Sequence, residues 1–160
     1  VPAVSTPRGV DASVRTEEYV VAKLEDANRL VWPEYYPANV PPTEAVDAGG
    51  EAYRIVRSIP PQAIDFRSSV EDYRARGLEV PAHKFWQACG TSVYTELEGC
   101  RTTRQRYPAL RERRIAKGLL LAAHGKMMKT EGGHPSHMTV WFRVNATPEQ
   151  SFLADAEKTQ

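Results

Sequence analysis

The sequence predicts an α+β domain with a mostly antiparallel sheet, a packed helix and an N-terminal helical extension. Short β-branched and aromatic runs recur along the chain, at Tyr53–Ser58, Thr91–Tyr94, Arg114–Ala123, Met127–Thr130 and His137–Val144. The strongest helical pattern, from Thr95 to Tyr107, falls between two of these runs. The order strand, loops, strand, helix, hairpin, strand lacks the regular strand–helix alternation of a parallel sheet. With 160 residues, 41% hydrophobic and 26% charged, the chain is long enough and apolar enough to bury one core.

Residues 1–15, rich in Pro, Ser, Thr, Gly and Val without a period, read as a loose arm. A helix is expected next. Thr16 is its N-cap, Glu17 and Glu18 complement the dipole, and Pro33 stops it. Val20, Leu24, Ala27 and Val31 fall on one face, which must dock on the body or hold a protein partner through residues 16–32. Pro33 to Gly50 carries four prolines and a Gly-Gly pair and reads as a wrapped connection. Residues 1–50 therefore form an arm, helix and Pro-rich connection, 51–145 the α+β core, and 146–160 a polar tail.

Within the core, Tyr53–Ser58 is a strand closed by Pro60-Pro61, and a short helix is expected near Val70–Arg76. Thr91–Tyr94 is a second strand. Thr95 to Glu98 has the capping-box spacing, so Thr95 caps a helix running to Tyr107, ahead of Pro108. Leu97, Cys100 and Tyr107 give that helix its apolar side, and Arg101 and Arg104 share another. Arg114–Ala123 reads as a buried strand, His124-Gly125-Lys126 as a turn and Met127–Thr130 as the returning strand. His137–Val144 alternates with period two, setting Met138, Val140, Phe142 and Val144 against Thr139, Trp141 and Arg143.

The longest uncharged apolar stretch, Gly118–Ala123, is far short of the roughly 20 residues that span a bilayer, so no membrane role is expected. Val1-Pro2-Ala3-Val4 has no basic or apolar leader character, so no signal peptide is expected. Two cysteines, Cys89 and Cys100, make no disulfide framework and suit a reducing, cytoplasmic setting.

Charge is uneven. Residues 101–130 hold nine Lys/Arg against Glu112 alone, although the whole chain sums to only +1. Such a segment attracts anions, so Arg101 and Arg104 are candidate contacts for a nucleotide, a phosphorylated ligand or nucleic acid, with Tyr107 free to stack. The alternative is internal neutralisation by acidic residues of the N-terminal half. No helix-turn-helix, zinc-finger or RNA-recognition signature accompanies the segment.

Glu131-Gly132-Gly133-His134-Pro135-Ser136-His137 sets two imidazoles beside glycines, a pattern suited to a mobile loop that closes over substrate. His134 and His137 are candidate proton shuttles. On the opening strand Arg54 shares parity with Val56, and Arg57 with Tyr53 and Ile55, so one arginine faces the core side. Either suits a phosphate or carboxylate clamp. Ser92 is a further candidate, although no G-x-S-x-G elbow surrounds it. Cys89 and Cys100 stand too far apart for a zinc knuckle, no metal site is expected, and the residues name no cofactor.

From Tyr53 to Phe142 the chain resembles small uncharacterised bacterial α+β domains. The shared features are Pro60-Pro61 with Asp65-Phe66, Ala88 through Tyr94, Pro108–Arg111, and His134 to His137 ahead of an aromatic strand. A looser likeness is to ADP-ribosyltransferases, through Arg54 or Arg57, Thr91/Ser92 to Thr95, and Glu131 as the late acid. That likeness implies an arginine gripping the phosphate of NAD, a serine bracing the site and Glu131 stabilising a ribosyl cation. Glu131 lacks the usual Glu-x-Glu or Gln-x-Glu setting. Three roles stay open: an enzyme on a nucleotide or phosphorylated substrate, a non-enzymatic module for nucleic acid or an acidic protein, and an assembly subunit.

Overall fold

The computed structural model describes residues 16–19 and 30–158. Seven strands form one sheet, and every neighbouring pair is antiparallel. They are β1 (Val46–Asp47), β2 (Gly50–Val56), β3 (Thr91–Tyr94), β4 (Arg114–Leu120), β5 (Gly125–Lys129), β6 (His137–Phe142) and β7 (Ala154–Asp155). Across the sheet the order is β1-β5-β6-β3-β2-β4-β7. Among residues 30–158 three helices accompany it: α1 (Ser69–Ala75), α2 (Phe85–Ala88) and α3 (Leu97–Arg106). The α+β class holds. No described helix is long and apolar enough to cross a membrane.

Both faces of the sheet are covered. On one face Ala52, Val56, Phe66, Val93, Ala116, Leu120, Val140 and Phe152 form the main core. On the other, Trp141, Val70, Cys89 and Val40 pack beneath the Pro-rich connection, and Tyr94, Cys100 and Ile115 pack beneath α3. The period two of β6 therefore separates two sets of packing partners, Val140 into one core and Trp141 into the other, rather than inside from outside. Val144 lies beyond the strand and is exposed.

Several local expectations change. Residues 16–19 are helical, while 20–29, with most of the predicted helix face, lie outside the described residues. α3 starts two residues past Thr95: its N-cap is Glu96, and the Thr95 amide and hydroxyl instead donate to the Ser136 carbonyl. Tertiary pairing with the segment before β6 outcompetes the capping box. Tyr107 is 51% exposed, leaving Cys100 as the buried anchor of that helix. β4 stops at Leu120, and a 3₁₀ turn at Ala122–His124 follows, held by the Leu121 amide donating to His124 Nδ1. The capping box of α1 is formed as its sequence demands, with Glu71 N donating to Ser68 Oγ and Ser68 N to Glu71 Oε1.

The sheet also reaches past residues 51–145 on both sides. β1 pairs with β5 before Gly50, and the tail supplies β7 and the fully buried Phe152. One aromatic in an otherwise polar tail carries it into the core.

Candidate functional site

The central strands β2 and β3 meet at the single pair Tyr53↔Tyr94 and then separate. Where the ladder would continue, Arg54 takes over: its Nη1 donates to the Ser92 carbonyl (2.7 Å) and its Nε to the Asp65 carbonyl (2.9 Å). The gap opens into a cleft of about 530 Å³ lined by Arg54, Arg57, Arg67, Arg76, Arg113, Ser92 and Tyr94, with Asp65 and Asp72.

Asp65 organises one wall. It is buried; its Oδ1 accepts from the Arg57 amide (3.0 Å) and Arg57 Nη1 (3.2 Å), and its Oδ2 from the Gln62 amide (2.9 Å). The turn Ala63–Phe66 that carries it is tied to β3 by Thr91 Oγ1 donating to the Phe66 carbonyl. The Pro60-Pro61…Asp65-Phe66 spacing thus builds a wall of the cleft.

Behind Ser92 stands His137, opposite Tyr94 in the register of β3 against β6. Ser92 Oγ is 2.9 Å from His137 Nε2. His137 Nδ1 is 3.2 Å from the Thr130 carbonyl; in the tautomer that donates Nδ1–H to that carbonyl, Nε2 is free to accept from the Ser92 hydroxyl. Thr130 Oγ1 lies 3.0 Å from Nδ1 and 2.7 Å from Thr139 Oγ1, extending the chain of polar groups. The Tyr94 ring meets the imidazole edge to face, centroids 5.4 Å apart. Burial, reinforced by the Arg54 charge and opposed by the Thr130 carbonyl, pulls the His137 pKa below its ordinary value, so the ring is neutral at pH 7. An oriented, neutral imidazole against a serine hydroxyl is the geometry of a nucleophile with its general base.

The glycine loop has a different use from a hinge. A Cβ on Gly132 would lie 2.4 Å from the His137 ring, so the glycine lets the loop close against the imidazole. His134 turns inward on its own loop, where Nδ1 accepts from the Ser136 amide (3.1 Å) and meets Ser136 Oγ (2.8 Å). Glu131 is exposed, its carbonyl accepting from Gln87 Nε2, and with His134 it lines a separate open groove of about 620 Å³. Neither residue lines the cleft of Arg54 and Ser92, so the arrangement implied by the ADP-ribosyltransferase likeness lacks its acid there.

Arg101 and Arg104 are also elsewhere. Both reach Glu157 of the tail, Arg104 in a two-pronged pair at 2.5 and 2.7 Å that raises its pKa. Arg114 pairs with Asp155, Lys117 with Glu51 and Lys126 with Asp47. Five of the nine basic residues of 101–130 therefore have a carboxylate partner among the described residues, three of them on the tail and two on Asp47 and Glu51 of the N-terminal half.

Of the residues read from sequence, Arg54, Arg57, Ser92 and His137 converge; Glu131, His134, Arg101 and Arg104 do not. Sequence reading missed Tyr94, Thr130, Arg67 and Arg76, and singled out Arg113 only as one of the arginines of the basic segment. Thr130 carried no signal, since its contacts with His137, through both carbonyl and hydroxyl, depend on the pairing of β5 with β6. The thiols are not competitors as nucleophiles: burial pushes Cys89 up to about 11 and Cys100 up to about 12, so both stay protonated at neutral pH. Among the described residues no three His, Cys, Asp or Glu side chains gather as a metal ion needs. No family model matches the chain, and neither a curated protein nor a solved structure does.

Proposed function

We propose that the chain is an enzyme acting on a phosphorylated small molecule, with Ser92 as nucleophile and His137 as general base. The observation that carries this reading is the 2.9 Å contact of Ser92 Oγ with His137 Nε2, at the wall of an arginine-lined cleft. Ser92 Oγ attacks phosphorus, its proton passes to His137 Nε2, and the leaving oxygen departs with that proton. Water then attacks the phosphoserine and gives its proton to His137, which returns it to Ser92 Oγ as the serine leaves. Arg54, held beside Ser92 by its bond to the Ser92 carbonyl, offers positive charge where the phosphoryl oxygens gather theirs.

The nucleic-acid reading has less support, because Arg101, Arg104, Arg114, Lys117 and Lys126 already have carboxylate partners. The assembly reading rests on residues 16–32, most of which lie outside the described residues.

A fluorophosphonate probe tests the proposal, since an activated serine displaces its fluoride and keeps the phosphonyl group. Peptide mapping is expected to find the adduct on Ser92 and none in Ser92→Ala. His137→Ala, with an unchanged circular dichroism spectrum, should label about 10²–10⁴ times more slowly. Wild-type protein that leaves Ser92 unmodified would overturn the assignment.

A further inference from the structure

The charges around the cleft do not balance. Arg57 is paired with Asp65 (3.2 Å) and Arg67 with Asp72 (2.8 Å). Arg54, Arg76 and Arg113 line the same space, and none of them has a carboxylate within ion-pair distance among the described residues. Arg54 is the most telling of the three. Its guanidinium is partly buried and bonded to two carbonyls, with Asp65 and Asp72 acting on its charge only from beyond ion-pair distance. Its Nη2 has no hydrogen-bond partner among the described residues. Arg76 lies over the ring of Tyr73 at 5.1 Å, which orients its plane without cancelling its charge. Arg113 is held by its backbone, with its amide on Leu110 and its carbonyl on Arg104, leaving its side chain for the cleft.

We infer that the ligand is a phosphoanhydride, a small molecule with two linked phosphates, one on Arg54 beside Ser92 and the other between Arg76 and Arg113. This rests on the reading of Ser92 as nucleophile. A single phosphate ester carries about −1.5 to −2 at pH 7, and two linked phosphates carry about −3, which matches the three unpaired arginines. Ile55, Ile64, Tyr94 and Leu110 in the same wall give an organic substituent an apolar surface. The bond that breaks is then the bridging P–O. Ser92 Oγ bonds to the phosphorus nearest Arg54, and the second phosphate leaves with the proton delivered by His137.

The test is calorimetric titration of the 160-residue chain with inorganic phosphate and with pyrophosphate in metal-free buffer. Pyrophosphate is expected to bind at least about tenfold more tightly, and Arg76→Gln and Arg113→Gln each to weaken it by about tenfold while affecting phosphate less. Arg101→Gln, on a residue paired with Glu157 outside the cleft, should leave both affinities unchanged. Ser92→Ala should retain the pyrophosphate preference. Equal affinity for the two anions, or unaltered pyrophosphate binding in folded Arg76→Gln and Arg113→Gln, overturns the inference. The two readings fail separately: a pyrophosphate preference without labelling of Ser92 removes the chemistry and keeps the ligand class, while labelling without the preference does the reverse.

Discussion

Ser92 and His137 are 45 residues apart in sequence and 2.9 Å apart in space. Because burial holds the imidazole neutral to a lower pH than usual, the base form persists into mildly acidic solution. The rate of fluorophosphonate labelling should therefore rise with pH, pass its midpoint below the ordinary histidine value of about 6.5, and be flat by neutrality. A midpoint above 7 would mean that His137 is not the group being titrated. Asp65 supports the site from behind, and its carboxylate accepts two backbone N–H groups and a guanidinium. Asp65→Asn replaces one acceptor by a donor facing those N–H groups. It should cost about 2–3 kcal/mol in urea unfolding, against about 0.5 kcal/mol or less for Glu112→Gln on the exposed surface. Single residues were only partly legible beforehand. Arg54, Arg57, Ser92 and His137 stood out by type and strand position, but their convergence depends on strand register, which no short motif encodes. Arg101 and Arg104 looked like free cations because their partner, Glu157, lies in a tail 53 residues beyond Arg104.

At the level of elements, α3 illustrates how packing reverses a propensity. Gly99 lies inside the helix, where Gly→Ala ordinarily gains about 1 kcal/mol. Here a Cβ would fall 2.4 Å from Ser136 Oγ and 2.5 Å from the Tyr94 ring, both against the site. Gly99→Ala should instead destabilise by about 1–3 kcal/mol and slow labelling of Ser92, because Tyr94 packs on His137. A stabilised Gly99→Ala would show that the helix moves away without cost. The strands and helices themselves were largely readable, since alternation and capping are local. The misread start of α3 shows the limit of such signals. Thr95 has the right spacing for a cap but spends its amide and hydroxyl on the Ser136 carbonyl, a partner 41 residues away.

Over the whole molecule, the tail is structural. Phe152 is fully buried in the main core, and Asp155 and Glu157 hold Arg114, Arg101 and Arg104. Phe152→Ala should cost about 3–5 kcal/mol, and a chain ending at Asn145 should lose its cooperative thermal transition. Acidification also acts globally. His124 and His137 are both held below the ordinary histidine pKa, chiefly by burial, so in the window just below that value the unfolded chain binds more protons than the folded one. Stability is full above the ordinary histidine value and falls as pH drops through the lowered folded values. The melting temperature should be lower at pH 5 than at pH 7.5, and the acid loss should shrink in His137→Gln, which cannot charge. The sheet order was not legible from sequence, because it joins segments whose mutual affinity is expressed only in three dimensions.

That order has a consequence in time. β2 lies between β3 and β4, and β4 supplies its full-length partner, Gly50 against Leu120 through Val56 against Arg114. β3 in turn needs β6, which ends at Phe142. During synthesis the strand bearing Arg54 emerges tens of residues before either neighbour, so the nascent chain carries an apolar strand with an unpaired backbone until most of the protein has been made. A high contact order of this kind belongs to domains that fold over milliseconds to seconds. The cleft is therefore assembled late, and premature termination anywhere before β6 releases an aggregation-prone strand rather than a smaller working protein.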